Sequence, residues 1–406
     1  MIEPEIRKQA VTVRIESKAR FLLMFMALLL SLPLFYGKFF TDHTARSKRE
    51  NRTLAPVPQV NLFERPREYF SALDLYLEDH MGCISEASLL HQKMLFYGFR
   101  DSPALNLTVG KNGFVFLNAH DRQKKFANFK RLCVEKGNPD IASRFVRPIR
   151  EIEKYYTTKG YRVVFGTPVS KPVLYPEMLP ASVPDDVKQS CVNFRNENVF
   201  FLLRNILQKE GVNFYYPFEL FFANRDTPYF YPKENFHWNG KSAHLFVEKL
   251  LLLLEIDVDE EYNKESEVVS GTADLGSIVG FRRKIDVWHY PYTSFDVNPM
   301  QQVLAKKLRK YFKNASDFSF FRTANAMTER RALIISNSFG AFVVPHIAPA
   351  YKELAHVALY RLQEHEKKNF FSSFVDSFAP DDIIFIIHDD AMYMYSDIAL
   401  YLDGEN

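Results

Sequence analysis

A chain of 406 residues that is 47% hydrophobic and 15% aromatic has apolar surface enough for a large core, which excludes extended disorder. Its formal net charge of +3 is small for that length. No basic stripe is interleaved with stacking aromatics, so nothing argues for a nucleic-acid partner.

Phe21–Gly37, F-L-L-M-F-M-A-L-L-L-S-L-P-L-F-Y-G, is uncharged and follows Arg14, Lys18 and Arg20. A membrane-spanning helix needs about 17–25 apolar residues. No small-x-small cleavage site follows the run, and it has no polar face, so the expectation is an uncleaved signal anchor over residues 21–40. Residues 1–20 are then a cytoplasmic tail and the bulk of the chain is exported, although Lys38, Arg46, Lys48 and Arg49 blur the charge asymmetry. Residues 41–65 are polar and proline-bearing, as a linker would be. Cys83, Cys133 and Cys191 lack metal-ligand spacing and fit an exported protein with one disulfide and one free thiol. Spacing leaves the pairing open; Cys133 with Cys191 is the pair expected.

Within residues 66–406, apolar periodicity predicts a helix over Arg67–Phe99, then a hairpin over Val109–Leu117 turning at Asn112-Gly113. Helices follow near Val146–Lys159 and Glu197–Lys209, each leading into a short strand, Arg162–Phe165 and Val212–Tyr216. A third helix covers Lys241–Glu255. Ala332–Ile335 reads as strand, Phe342–Glu353 as helix, Val357–Leu362 as strand, Glu366–Phe378 as helix and Ile383–Ile387 as a fully apolar strand. This alternation predicts an α/β fold with a parallel, doubly wound sheet covered on both faces. Residues 262–330 break the rhythm and read as an insertion.

Two stretches carry candidate chemistry. Ser338, in A-L-I-I-S-N-S-F-G, sits between an apolar strand and a helix, where its hydroxyl would project over the carboxyl end of the sheet. Asn337 and Ser338 are equally suited to capping that helix, and local spacing alone favours the cap. His237, in Y-P-K-E-N-F-H-W-N-G, precedes an amphipathic helix that Asn239 could cap. As a base for Ser338, His237 needs a group on its second ring nitrogen to fix its tautomer, and Asn235 lies within reach. Glu234 is adjacent but should point elsewhere.

A longer run of motifs shifts the balance. Glu50–Pro58 reads E-N-R-T-L-A-P-V-P; Asp79-His80-Met81 lies on the first helix; Val109–Phe116 reads V-G-K-N-G-F-V-F. Pro168 precedes Lys171–Pro180, K-P-V-L-Y-P-E-M-L-P, and then come N-F-H-W at Asn235–Trp238 and S-N-S-F at Ser336–Phe339. In this order they resemble the SGNH-hydrolase-like family of the alginate O-acetylation proteins AlgJ and AlgX, from about residue 48 onward. The resemblance implies an SGNH-like α/β/α sandwich with Ser338 as nucleophile, His237 as base and Asn235 where the family has its aspartate. The backbone N–H groups of Ser338 and Phe339 would form the oxyanion site, and no cofactor or metal is implied. Positions 235 and 337 are asparagine where the family is acidic, and Ser336 replaces a glycine.

By this resemblance the chain is an O-acetyltransferase of an exported polysaccharide, held by Phe21–Gly37 in the bacterial inner membrane with its bulk in the periplasm. Its implied partner is a membrane acyltransferase of the MBOAT class. The two asparagines also fit a second reading, an accessory protein of the acetylation complex that scaffolds or binds glycan without much catalysis.

Overall fold

The computed structural model describes residues 22, 24–26, 28, 46–47, 52–53, 55–80, 84–102, 104, 107–117, 129, 133, 139–193, 199–258, 260–264, 266–277, 284–300 and 318–403. The chain divides into two compact units, Met1–Gly98 and Phe99–Asn406.

In the first unit, Leu22, Met24, Phe25, Met26 and Leu28 are helical and exposed, and the rest of the expected anchor lies outside the described residues. Among the described residues no helix is long and apolar enough to cross a membrane. Within the expected linker, Arg46–Ser47 pairs antiparallel with Arg52–Thr53. The first expected helix is divided into Pro66–His80 and Ile84–Lys93. The Asp79 carboxylate accepts the Ala55 N–H at 2.6 Å, so two of the motifs in this unit are in direct contact.

The second unit opens with the hairpin β1 (Leu107–Val109) and β2 (Val115–Leu117), which turns at Asn112 with φ 52°. Next comes α1 (Pro139–Thr158), whose Ala142, Val146, Ile149, Ile152 and Tyr156 are buried at the three- and four-residue spacing of one helical face. It leads to β3 (Arg162–Gly166); α2 (Asp185–Asn193), α3 (Val199–Lys209), β4 (Phe214–Tyr215), α4 (Phe218–Asn224) and α5 (Lys241–Leu253) follow. A separate hairpin is made of β5 (Glu267–Thr272) and β6 (Lys284–His289). The chain then supplies β7 (Val297–Pro299), β8 (Phe318–Thr323), β9 (Thr328–Ser336), α6 (Gly340–Ile347), β10 (Tyr351–Ala358), α7 (Glu364–Asn369), β11 (Asp382–Ile386) and α8 (Tyr393–Asp403).

Seven strands form the central sheet in the order β4-β3-β11-β9-β10-β8-β7. The first five are parallel, and β8 and β7 extend one side antiparallel. Val163–Phe165, Ala332–Ile335 and Ile383–Ile386 are almost fully buried, as expected of parallel strands covered on both faces. Successive strand residues point to opposite faces. On β3 the ring of Phe165 meets Tyr395 of α8, while the next residue, Gly166, faces Phe246 of α5. Hence α8 and α5 lie on opposite sides of the sheet. Cys133 and Cys191 are joined by a disulfide.

Two expectations change. The helix expected over Phe342–Glu353 ends at Ile347, and β10 begins at Tyr351, six residues before the expected strand. Pro349 lacks the N–H a continuing helix needs, and Tyr351–Val357 gain a parallel partner in β9 instead. The segment 262–330, expected as an insertion, contributes β7 and β8 to the sheet and a residue to the site described next.

Candidate active site

Ser338 lies in the turn between β9 and α6, at the carboxyl end of the sheet. The turn is held from below: Asn337 N–H bonds to Ile386 O of β11 at 3.2 Å, and Ser336 Oγ meets His356 Nε2 of β10 at 2.8 Å. Burial, and secondarily the charge of Arg361, push His356 down to about 3, so this imidazole is neutral. Position 340 must be glycine for lack of room, since a Cβ there would stand 2.0 Å from Ser336 Oγ.

His237 arrives on the stretch between α4 and α5. Trp238, fully buried, donates its indole N–H to Phe339 O at 3.1 Å, joining the histidine's stretch directly to the turn of Ser338. Gly240 takes φ 52° with Trp288 O only 2.3 Å from where a Cβ would be, a conformation and a clearance available to glycine alone. His237 Nε2 thereby stands 2.8 Å from Ser338 Oγ, inside the 2.6–3.2 Å reach of a serine and its base. The imidazole stacks on Phe342 at 4.8 Å and 23°, which fixes the ring plane.

The acid on the second ring nitrogen is not at position 235. Asp274 Oδ2 lies 2.6 Å from His237 Nδ1 and also accepts His237 N–H at 3.0 Å, while Oδ1 accepts Phe236 N–H at 2.8 Å. Burial alone would raise the Asp274 carboxyl; the hydrogen bond and charge of His237, with the two backbone donors, bring it below its ordinary value. The expectation that Asn235 accepts the Nδ1–H is therefore corrected. Its side-chain oxygen is used on the Asp274 N–H, at 3.0 Å, and the carboxylate occupies the place beside the ring. Sequence reasoning missed Asp274 because it lies 37 residues beyond His237, in a short turn after β5. A T-A-D-L-G stretch carries no spacing rule that ties it to N-F-H-W.

Lys171 supports this arrangement from within. Its buried ammonium donates to the carbonyls of Val115 (3.2 Å), Pro232 (3.0 Å), Lys233 (3.1 Å) and Asn235. Burial pulls it down to about 7 against the raising charges of Asp274 and Glu234. The four carbonyls share the three N–H donors of the ammonium, and together these bonds fix the loop that delivers Asn235 and His237.

Of the two expected oxyanion donors, Phe339 N–H is turned to Asn337 Oδ1 at 3.1 Å, and Ser338 N–H is not taken up in this way. Nearby, His388 stacks on Phe339 at 4.0 Å and contacts Ser170 Oγ at 3.1 Å. Among the described residues no cluster of three or more His, Cys, Asp or Glu is placed to hold a metal ion. A cleft lined by Phe114, Tyr175, Tyr229, Tyr231, Lys233 and Glu234 is built from the stretch just before Asn235; its lining does not include the serine, histidine or aspartate.

Fold and site together define an open α/β protein with a Ser–His–Asp constellation at the carboxyl edge of its sheet. No protein-family model and no curated protein matches the chain in sequence. In structure it is similar to the O-acetyltransferase domain of Pseudomonas putida AlgJ, at 11% identity and TM-score 0.42 over 74% of this chain and 99% of that one. It is also similar to Pseudomonas aeruginosa AlgX, at 11% and 0.45 over 79% and 71%. Bacillus cereus PatB1 is similar at 14% and 0.45 over 63% and 91%. AlgJ and AlgX are the two proteins whose family the sequence motifs resemble.

Proposed function

We propose that the chain is a serine-dependent O-acyltransferase, transferring acetyl groups to the hydroxyls of an exported polysaccharide. The observation that carries this reading is the continuous chain Ser338 Oγ–His237 Nε2 and His237 Nδ1–Asp274 Oδ2, at 2.8 and 2.6 Å. The ordered motifs from Glu50 to Phe339 support acyl transfer within that chemistry.

In this mechanism Ser338 Oγ attacks the acyl carbonyl carbon as its proton passes to His237 Nε2. Asp274 stabilises the imidazolium formed and holds Nδ1 in the protonated tautomer. The tetrahedral intermediate collapses, the leaving group takes the proton from His237, and acyl-Ser338 remains. A sugar hydroxyl then gives its proton to Nε2 and attacks the ester, and Ser338 recovers its proton as the acylated sugar departs. The Ser338 N–H is the donor available to the developing oxyanion; Phe339 N–H would join it if Asn337 swings away. The aromatic cleft beside Asn235 is the proposed seat for the acceptor chain. Anchoring through Phe21–Gly37 in the bacterial inner membrane, a periplasmic catalytic unit and an MBOAT-class acyl supplier belong to the same proposal. The accessory reading drew on asparagine at both 235 and 337; Asp274 supplies beside His237 the carboxylate that position 235 lacks, which favours the catalytic reading over it.

The test is incubation of the full chain with 4-nitrophenyl acetate and peptide mapping by mass spectrometry. One acetyl group on the Ser338 peptide, absent in Ser338→Ala, is the expected result. No acylation at Ser338 by this activated ester would refute the reading.

A further inference from the structure

A buried polar cluster stands apart from the reacting atoms and joins the two helices that follow them. His244 lies in the first turn of α5, and His346 near the end of α6. Between them is the hydroxyl of Tyr292, 2.8 Å from His244 Nδ1 and 2.5 Å from His346 Nδ1. Tyr292 follows β6 and is held at φ 50°, a left-handed backbone that costs energy for an aromatic residue and recurs at functional positions.

The hydrogen-bond directions can be worked out. His244 Nε2 faces Asn263 Oδ1 at 2.7 Å and so bears the proton, leaving Nδ1 as an acceptor. Tyr292 therefore donates to His244 and accepts from His346 Nδ1–H. Burial lowers both imidazoles and raises the phenol, so all three are neutral. His244 stacks on Tyr290 at 3.9 Å and on Tyr262 at 4.8 Å, and Tyr262 donates to His346 O at 2.9 Å.

The stretch from His237 to His244 is thus attached at two points to the segment 339–347, which contains α6. Trp238 bonds Phe339 O before α6 begins, and Tyr292 bridges to His346 near its end. One attachment would leave the stretch free to pivot; two fix its direction and its distance. We propose that Tyr292 is a positioning residue, whose hydroxyl bridge between α5 and α6 holds His237 within reach of Ser338. The inference rests on the acyl-transfer reading above.

The experiment measures the rate of Ser338 labelling by phenylmethylsulfonyl fluoride, and kcat and KM for 4-nitrophenyl acetate, on the full chain. Tyr292→Phe is expected to lower the labelling rate and kcat by about ten- to a hundredfold with KM little changed, the size of effect a small misplacement produces. Leu203→Ala, a core truncation in α3, is the control for lost stability, assayed at an equal interval below its own melting temperature. It should label at the wild-type rate. If Tyr292→Phe does not fold, His346→Leu replaces it, and His346→Asn, which keeps an amide where Nδ1 stood, should recover much of the rate. Wild-type labelling in Tyr292→Phe, equal losses in it and Leu203→Ala, or equal rates in the two His346 variants would overturn the proposal. Absence of labelling in the wild type would instead refute the acyl-transfer reading itself.

Discussion

The side-chain oxygen of Asn235 accepts the backbone N–H of Asp274 at 3.0 Å, so an amide holds in place the residue whose carboxylate holds His237. Position and charge, which a single aspartate supplies where it stands two residues before its histidine, are here divided between two side chains.

Asp274→Asn should therefore be the damaging change. It keeps the shape but lets Nδ1 face an amide N–H, favouring the wrong tautomer, and removes the charge opposite the imidazolium. In serine proteases the equivalent change costs about 10⁴ in turnover. A loss of that order in the 4-nitrophenyl acetate assay is expected, and a loss below tenfold would mean Asp274 does not serve the base.

Asn235→Asp should not raise activity. The new carboxylate can still accept the Asp274 N–H, but it adds a buried like charge beside Asp274 and raises the pKa of one of them. Asn235→Ala removes the acceptor and should lower kcat by about tenfold through misplacement of Asp274. A gain in Asn235→Asp, read in the same assay, would contradict the division of roles.

The Asp274 carboxyl also predicts an acid dependence of stability. Its folded pKa is held below its unfolded value. Above the unfolded value both states are ionised and the stabilisation is complete. As pH falls from there through the folded value, the unfolded chain binds the proton first and the stabilisation is lost. The difference in melting temperature between wild type and Asp274→Asn should shrink as pH drops from 6 through the acid limb; a difference constant with pH would exclude this ionisation as its source.

Removing the disulfide should weaken the second unit. Cys133 and Cys191 are 58 positions apart, and closing a loop of that length is worth about 4 kcal/mol in the chain-entropy account. Denaturant titration of the Cys133→Ser, Cys191→Ser double variant should show a loss of about 2–5 kcal/mol. An unchanged midpoint would mean the bridge does not form in solution.

How much was legible follows from what each residue depends on. The parallel core announces itself because Val163–Phe165, Ala332–Ile335 and Ile383–Ile386 are apolar on both faces, a local property of the chain. Ser338 and His237 each sit beside a recognisable boundary, the end of an apolar strand and the start of an amphipathic helix. Asp274 depends on none of these. It reaches His237 only because a turn after β5 folds against residues 235–237 and its carboxylate accepts the N–H groups of Phe236 and His237, a contact written in three dimensions. The start of β10 was hidden for a related reason: Tyr351-Lys-Glu has no strong strand pattern of its own and is strand because β9 lies beside it.

The indole of Trp238 on Phe339 O has a practical consequence, since Trp238 and Trp288 are the chain's two tryptophans. Trp288 donates to Pro228 O and lies against Gly240, so both fluorophores flank the stretch that carries His237. Intrinsic emission from this protein is accordingly a local optical signal, weighted toward the surroundings of the histidine rather than spread over the sheet. A change in emission maximum or intensity, followed in time after mixing with an acyl donor or a polysaccharide, reads the site directly and without any attached label.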